Sequence, residues 1–170
     1  MNKRRVQVED NLVLDGNKTI YGVTSVDLPE ITWKTISIPA GYGMAGDIEM
    51  PTRKLDALEM TVNTDTGEAC EQLSRPGVHN IELREVVTDF NTAKSDLEYK
   101  SVKYRTTGHV ASVADGSSKI SEAKEGSVKY NLTYYEKEVD GRVVRVIDIP
   151  GGVIMWDGVD YSAAIQSLLN

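Results

Sequence analysis

The sequence predicts a mainly β, antiparallel fold, and three observations carry that expectation. Val, Ile and Thr number 43 against 21 for Ala plus Leu, and branching at the β-carbon suits a pleated surface better than a helix. Asp-Gly, which supplies the positive backbone angles of a tight hairpin turn, occurs four times, at Asp15, Asp115, Asp140 and Asp157. Several segments alternate apolar and polar residues with period two, so each has one dry and one wet face. A chain of 170 residues is long enough to bury its own core, and a single domain over residues 1–170 is expected.

The elements follow in order. Asn11–Leu14 and Thr19–Val23 flank Asp15-Gly16 and predict a hairpin. Residues 36–56 resist assignment: Pro39, Gly41, Gly43, Gly46 and Pro51 interrupt the apolar Ile38, Tyr42, Met44, Ile48 and Met50. A Gly/Pro-rich loop with that much apolar surface is expected to meet a partner. Next, Leu58, Met60 and Val62 oppose Glu59, Thr61 and Asn63 on a strand. Asp65 is placed to cap a helix running to Leu73, with Glu68 completing a capping box and Pro76-Gly77 stopping it. Ala69, Cys70 and Leu73 would form its dry stripe.

Residues 80–90 are less regular, though Ile81, Leu83 and Val87 line up. Val102, Tyr104 and Val110 oppose Lys103, Arg105, Thr107 and His109. Residues 114–126 read as a polar, mobile loop. Beyond it, Val128, Tyr130, Leu132 and Tyr134 oppose Lys129, Asn131, Thr133 and Lys137, and Asp140-Gly141 turns that strand into the next. A short helix from Ser162 to Leu169 would bury Ala164, Ile165, Leu168 and Leu169.

Charge and composition exclude several classes. The formal net charge of -7 argues against a duplex-DNA binder, which needs a basic face to displace counterions. Most of that excess lies in residues 1–90. A single Cys70 provides neither a disulfide framework nor a zinc cluster. No run approaches the ~20 apolar residues of a membrane span. Met1-Asn2-Lys3-Arg4-Arg5 has the charge of a signal peptide but no apolar stretch behind it. The chain is therefore expected to stay in a cytosol or to leave by a route other than general secretion.

Residue patterns with possible chemistry have plainer explanations. Gly41-Tyr42-Gly43-Met44-Ala45-Gly46 matches G-x-G-x-x-G, but Pro39 precedes it and no helical pattern begins at Gly46, as pyrophosphate binding requires. His79 and His109 have polar neighbours and no nucleophile elbow, and read as histidines on wet strand faces. Cys70 reads as a small core residue. Asn63-Thr64-Asp65-Thr66-Gly67-Glu68 departs from a calcium loop in its third ligand and its glycine, and capping explains it better. The sequons at Asn17 and Asn131 lack a secretory context. Trp33, Tyr134, Tyr135 and Trp156 suit core and subunit contacts better than a stacking platform for sugars or bases. No enzyme activity, metal or cofactor is expected.

One ordered set of residues resembles a known family. Ser25-Val26-Asp27-Leu28-Pro29, Ile31-Thr32 and Lys34 lead into the string at Gly41, and Leu58-Glu59-Met60 follows. In the second half come Gly126-Ser127-Val128-Lys129-Tyr130, Tyr134-Tyr135, Asp140-Gly141, Val146-Ile147-Asp148-Ile149 and Asp157-Gly158-Val159-Asp160. The set resembles the major tail tube proteins of contractile-tailed bacteriophages and of phage-tail-like bacteriocins (tailocins). Residues 91–100 match nothing in it and read as an insertion.

The resemblance implies an antiparallel two-sheet β-sandwich or barrel with one flanking helix and a short C-terminal helix. It implies a structural subunit that forms stacked hexameric rings around a hollow bore, with a sheath outside. Tape-measure, baseplate and tail terminator proteins would be further partners, and DNA would pass non-specifically, without a membrane anchor. Assembly would occur in the bacterial cytoplasm, and the product would be a virion tail or an extracellular phage-tail-like particle. Residues 36–56, with Ile38, Pro39, Gly41, Tyr42, Gly43, Met44, Gly46, Ile48 and Met50, would reach a neighbouring subunit or ring. The wet strand face would line the bore through Glu59, Thr61, Asn63, Glu82, Arg84, Lys103, Arg105, Thr107, Lys129, Asn131 and Thr133. Glu68 and Glu71 would meet the sheath. That bore set holds two acids and four bases, at odds with a lining that repels DNA. The rival readings are a tube subunit of a type VI-like secretion machine and, from another class, a monomeric carbohydrate-binding β-sandwich.

Overall fold

Alternating side chains and Asp-Gly turns produce a molecule built almost wholly from antiparallel ladders. A computed structural model describes residues 3–16, 18–91 and 93–170. Met1 and Asn2 of the charged start, and Asn17 of the first sequon, lie outside the described residues. The strands are β1 (Lys3–Leu14), β2 (Lys18–Ile20), β3 (Val23–Asp27), β4 (Trp33–Ile38), β5 (Ile48–Leu55) and β6 (Leu58–Thr64). Helix α1 (Gly67–Leu73) precedes β7 (Val78–Asn91), β8 (Asp96–Ala114), β9 (Gly126–Val139), β10 (Arg142–Asp148), β11 (Val153–Trp156) and β12 (Val159–Asp160), and α2 (Ala163–Leu169) ends the chain.

Among the described residues ten strands form one sheet: eight run in the order β12-β11-β10-β9-β8-β7-β1-β2, β6 and β3 branch from it, and β4 pairs with β5 separately. The large sheet forks at β9. Its first half pairs with β6, from Gly126 opposite Thr64 to Leu132 opposite Leu58. Its second half pairs with β10, from Tyr134 opposite Asp148 to Val139 opposite Arg142. β3 joins the free edge of β6. The mainly β, antiparallel class and the two helices are as the sequence predicts, and the sheet does not close into a barrel.

One face of this sheet makes the core. Leu12, Leu14, Ile20, Leu58, Met60, Val62, Ile81, Leu83, Val102, Tyr104, Val128, Tyr130, Tyr135 and Ile147 are buried together with Ala69, Cys70 and Leu73 of α1. The helix is seven residues long, too short to stand alone, and packing holds it. The hydroxyl of Tyr130 donates to the carbonyl of Leu73 beneath it. Burial pushes the Tyr130 phenol well up and raises the Cys70 thiol; Cys70, 4% exposed, is the core residue its position predicts.

Three local expectations are corrected. The N-cap of α1 is Thr66, one residue beyond Asp65; its Oγ1 accepts from Ala69 N at 3.2 Å. Asp65 N instead donates to Gly22 O at 2.9 Å, which ties that residue to the end of the β3–β6 ladder. Glu68 therefore sits one position short of a capping box, in the first turn. Gly22 has a positive φ of 91°, and a Cβ there would meet Thr66 Oγ1 at 2.4 Å, so the glycine makes room for the cap.

His79 is buried rather than wet. Nδ1 faces Asp15 Oδ2 at 3.2 Å, Nε2 faces Arg75 O at 2.6 Å, and the ring meets Tyr130 edge-on. In the segment read as an insertion, Asn91 pairs with Asp96 at the end of an uninterrupted β7–β8 ladder that begins at Val78–His109, and Thr92 lies outside the described residues. The dry stripe assigned to the last helix is exposed, with Ile165 at 40%, Leu168 at 86% and Leu169 at 78%. Only Ser162, before its first turn, is buried.

Candidate functional site

The unburied face of the large sheet is a polar surface set by strand alternation. Glu59, Thr61 and Asn63 lie on it between the buried Leu58, Met60, Val62 and Thr64. Glu82 and Arg84 alternate with Ile81 and Leu83, and Lys103, Arg105 and Thr107 with Val102, Tyr104 and Thr106. Register then aligns them: Glu82 lies opposite Arg105, Arg84 opposite Lys103, and Asn131 opposite Glu59.

A one-residue bulge adds two carboxylates to this face. Thr107 pairs with Tyr134 and Gly108 with Leu132, which leaves Thr133 as the extra residue of β9. Beyond it the parity reverses. Tyr135 turns inward at 2% exposure, against the expectation for Tyr134. Lys137, expected on the wet face, lies over the Tyr104 ring at 5.6 Å. Its ammonium is held below the usual lysine range by burial and by Arg145 and Arg5. Burial pushes the Tyr135 phenol up to about 12. Glu136 and Glu138 therefore point outward, where Arg105 donates to them at 3.2 and 2.6 Å.

Gly108 permits this close crossing, since a Cβ there would lie 2.5 Å from Asn131 O and 2.8 Å from Leu132 Cδ2. Thr133 Oγ1 donates back to Thr107 O at 3.3 Å. The pair Tyr134-Tyr135 breaks strict alternation nearby, but it does not mark Thr133 as the extra residue.

The bases of this face are met within it. Lys129 lies 2.9 Å from Glu59, Arg84 2.7 Å from Glu82, and Lys103 stands opposite Glu138. With Glu136 and Glu138 added, the named residues hold four acids and four bases, and Asp27, opposite Thr61 on the same face, adds a fifth acid. Asn63 donates to Ser25 Oγ at 2.9 Å and to Asp27 Oδ2 at 3.4 Å, and Thr107 to Asn80 Oδ1 at 2.8 Å.

Residues 36–56 are largely a β-hairpin rather than a loop. β4 and β5 pair from Trp33–Leu55 to Ile38–Ile48, with Pro39 to Asp47 as the tip. The prolines and glycines that hid the pattern sit at the tip and at Pro51, inside β5. Register places Ile36 beside Met50 and Ile38 beside Ile48, so one hairpin face carries four apolar side chains, each at least 40% exposed. A lone two-stranded hairpin is marginal in water. This one is braced at its tip, where Ala40 N donates to Asp47 Oδ1 at 2.7 Å and Met44 N to Gly41 O at 3.1 Å. Gly43 turns the chain with a φ of 84°, and Tyr42 stands fully exposed. The G-x-G-x-x-G string is thus the turn of this arm, with no helix behind it.

The hairpin root meets the far end of the large sheet. The Trp33 and Trp156 ring centroids lie 6.2 Å apart, and the Arg145 guanidinium lies 4.5 Å from the Trp156 ring centroid. Arg53 reaches Gly152 O at 3.4 Å. Of the four aromatics considered as a stacking platform, only these two tryptophans come together; Tyr135 is core and Tyr134 belongs to the outer face. Glu68 and Glu71 are exposed on α1, with Gln72 donating to Glu68 at 3.2 Å. Among the described residues no three His, Cys, Asp or Glu side chains gather as metal ligands.

Comparison with known proteins places these features. The model of a family described as phage tail tube protein FII matches residues 8–169. No curated protein matches the sequence. A chain in the extended sheath–tube complex of an extracellular contractile injection system, PVC, is similar at a TM-score of 0.51 and 13% identity, over 76% of this chain and 87% of that one. A chain in the tube-terminating cap of the anti-feeding prophage, AFP, is similar at 0.51 and 14%, again over 76% and 87%. A chain in the extended PVC sheath/tube terminator reaches 0.50 at 13% identity, over 76% of this chain and 92% of that one.

Proposed function

The chain belongs to the phage tail tube protein FII family and is a structural subunit of a tail tube; from that premise we propose that it closes into hexameric rings that stack into the hollow inner tube of a contractile particle. The observation that carries the assembly reading is the hairpin of β4 and β5, whose apolar face has nothing to cover it within the protomer. At about 25 cal/mol per Å², covering several such side chains contributes on the order of 5 kcal/mol, enough to drive assembly. Ring closure would also satisfy sheet edges that the open ladder leaves unpaired.

In this reading the polar face lines the bore through Glu59, Thr61, Asn63, Glu82, Arg84, Lys103, Arg105, Thr107, Lys129, Asn131 and Thr133, joined by Glu136 and Glu138. Each of its four bases lies beside or opposite a carboxylate, so passing DNA would find no strong hold. The exposed carboxylates Glu68 and Glu71 of α1 face a sheath. Sheath, terminator, baseplate and tape-measure proteins are the partners, and the role is non-enzymatic. Assembly takes place in the bacterial cytoplasm before the particle acts outside. The similar chains come from sheath–tube, terminator and cap assemblies, which supports the first two partners.

Negative-stain imaging of concentrated protein tests the reading. Rings or hollow rods are expected from the wild-type chain, and Met44→Glu at the hairpin tip should abolish stacking while leaving the thermal midpoint unchanged. A chain that stays monomeric at every concentration overturns the tube reading.

A further inference from the structure

A pocket of about 490 Å³ opens beside the hairpin root, walled by Trp33, Arg53, Trp156, Tyr161 and Ile165. Its volume lies within the range of built binding sites, and its walls are of the aromatic kind that anchor interfaces. At the opposite end of the same hairpin stands Tyr42, fully exposed on a tip braced by the Asp47 and Gly41 hydrogen bonds. A tyrosine ring offers roughly 150–250 Å² to bury, and this one buries none of it in the protomer.

We propose that Tyr42 of one copy inserts into the tryptophan-walled pocket of the next, making the hairpin a head-to-tail plug. The proposal rests on the tube reading and names the contact that joins its subunits. The occupant comes from a second copy: Pro51, the pocket residue paired with Thr35, still lies three strand steps, about 10 Å, short of Ile38, where the tip begins. Charge fits as well. Residues 39–49 carry Asp47 and Glu49 and no cation, whereas the pocket presents Arg53. Asp160, bonded to Ser162 N at 2.9 Å, lies within electrostatic reach of Arg53 and offsets part of its charge. Plug and socket are different patches of one chain, so the contact is heterologous and propagates into a ring or a stack rather than closing a dimer.

Trp33 and Trp156 are the only tryptophans, so intrinsic emission reports the pocket directly. Assembly of the wild-type chain should shift that emission to the blue as the pocket closes over. Tyr42→Ala, at a fully exposed position, should fold normally yet raise the concentration for half-assembly by roughly tenfold or more, with the shift lost. Tyr42→Phe should retain both. Tubes from Tyr42→Ala at the wild-type concentration and with the wild-type shift overturn the plug and leave the tube reading standing. A wild-type chain that forms no particles overturns the tube reading, and the plug with it.

Discussion

Thr133 shows how much a single residue settles. Because it is the bulge residue opposite Thr107 and Gly108, every later side chain of β9 changes face, and Glu136 and Glu138 move from the core side to the polar surface. Gly108 is the counterpart that lets the strands cross closely. Gly108→Ala should therefore cost about 1–3 kcal/mol, since its methyl meets backbone that has nowhere to go; urea denaturation checks this, and an unchanged midpoint would disprove the bulge packing. The outer face up to Asn131 was legible from alternation. Glu136 and Glu138 were not, because period two carries no mark of where a register slips.

At the scale of elements, α1 and the hairpin were read with different success. The buried stripe of α1 followed from helical spacing alone, whereas its cap did not. Asp65 and Thr66 are both good N-cap residues, and the choice fell to Gly22, whose backbone engages Asp65 N and whose missing Cβ admits the Thr66 side chain. Thr66→Ala should destabilise by ~1 kcal/mol and Asp65→Ala by less, a ranking that thermal denaturation of the two variants can reverse. The hairpin was hidden for another reason. Pro51 and the glycines of the tip are turn signals, and local signals say nothing of the cross-strand pairs that bring Ile36 to Met50.

For the whole molecule, charge placement predicts how stability varies with pH. Asp89 is held below the usual carboxylate range by hydrogen bonding to Arg5, with Lys100 at 3.4 Å, and Asp15 by the backbone of Asn80 and by His79. A depressed pKa in the fold gives stability that is present above the unfolded value of 3.8 and is lost as pH falls through the folded one. Glu85 works the other way. Burial and Asp10 raise its pKa, so ionisation costs the fold some stability, and that penalty fades as pH falls toward 4.5. Stability should rise slightly from neutral pH toward about 4.5 and drop below about 4, with Asp89→Asn blunting the drop and Glu85→Gln removing the rise. Denaturation midpoints across that range decide it; a flat profile in the wild-type chain would contradict both assignments.

The sequence by itself determined the strand class, the turns at Asp15, Asp140 and Asp157 (though not at Asp115, which lies in the long β8–β9 connection), most of the core and the family, because alternation, turn chemistry and motif order are local properties of the chain. Tertiary structure alone decided the bulge that adds two carboxylates to the polar face, the helix cap, the burial of His79 and the meeting of Trp33 with Trp156. Each depends on residues far apart in sequence being brought within a few ångströms of one another. The net charge of -7 was legible from the start. That four bases on the outer face each lie beside or opposite a carboxylate followed only from register.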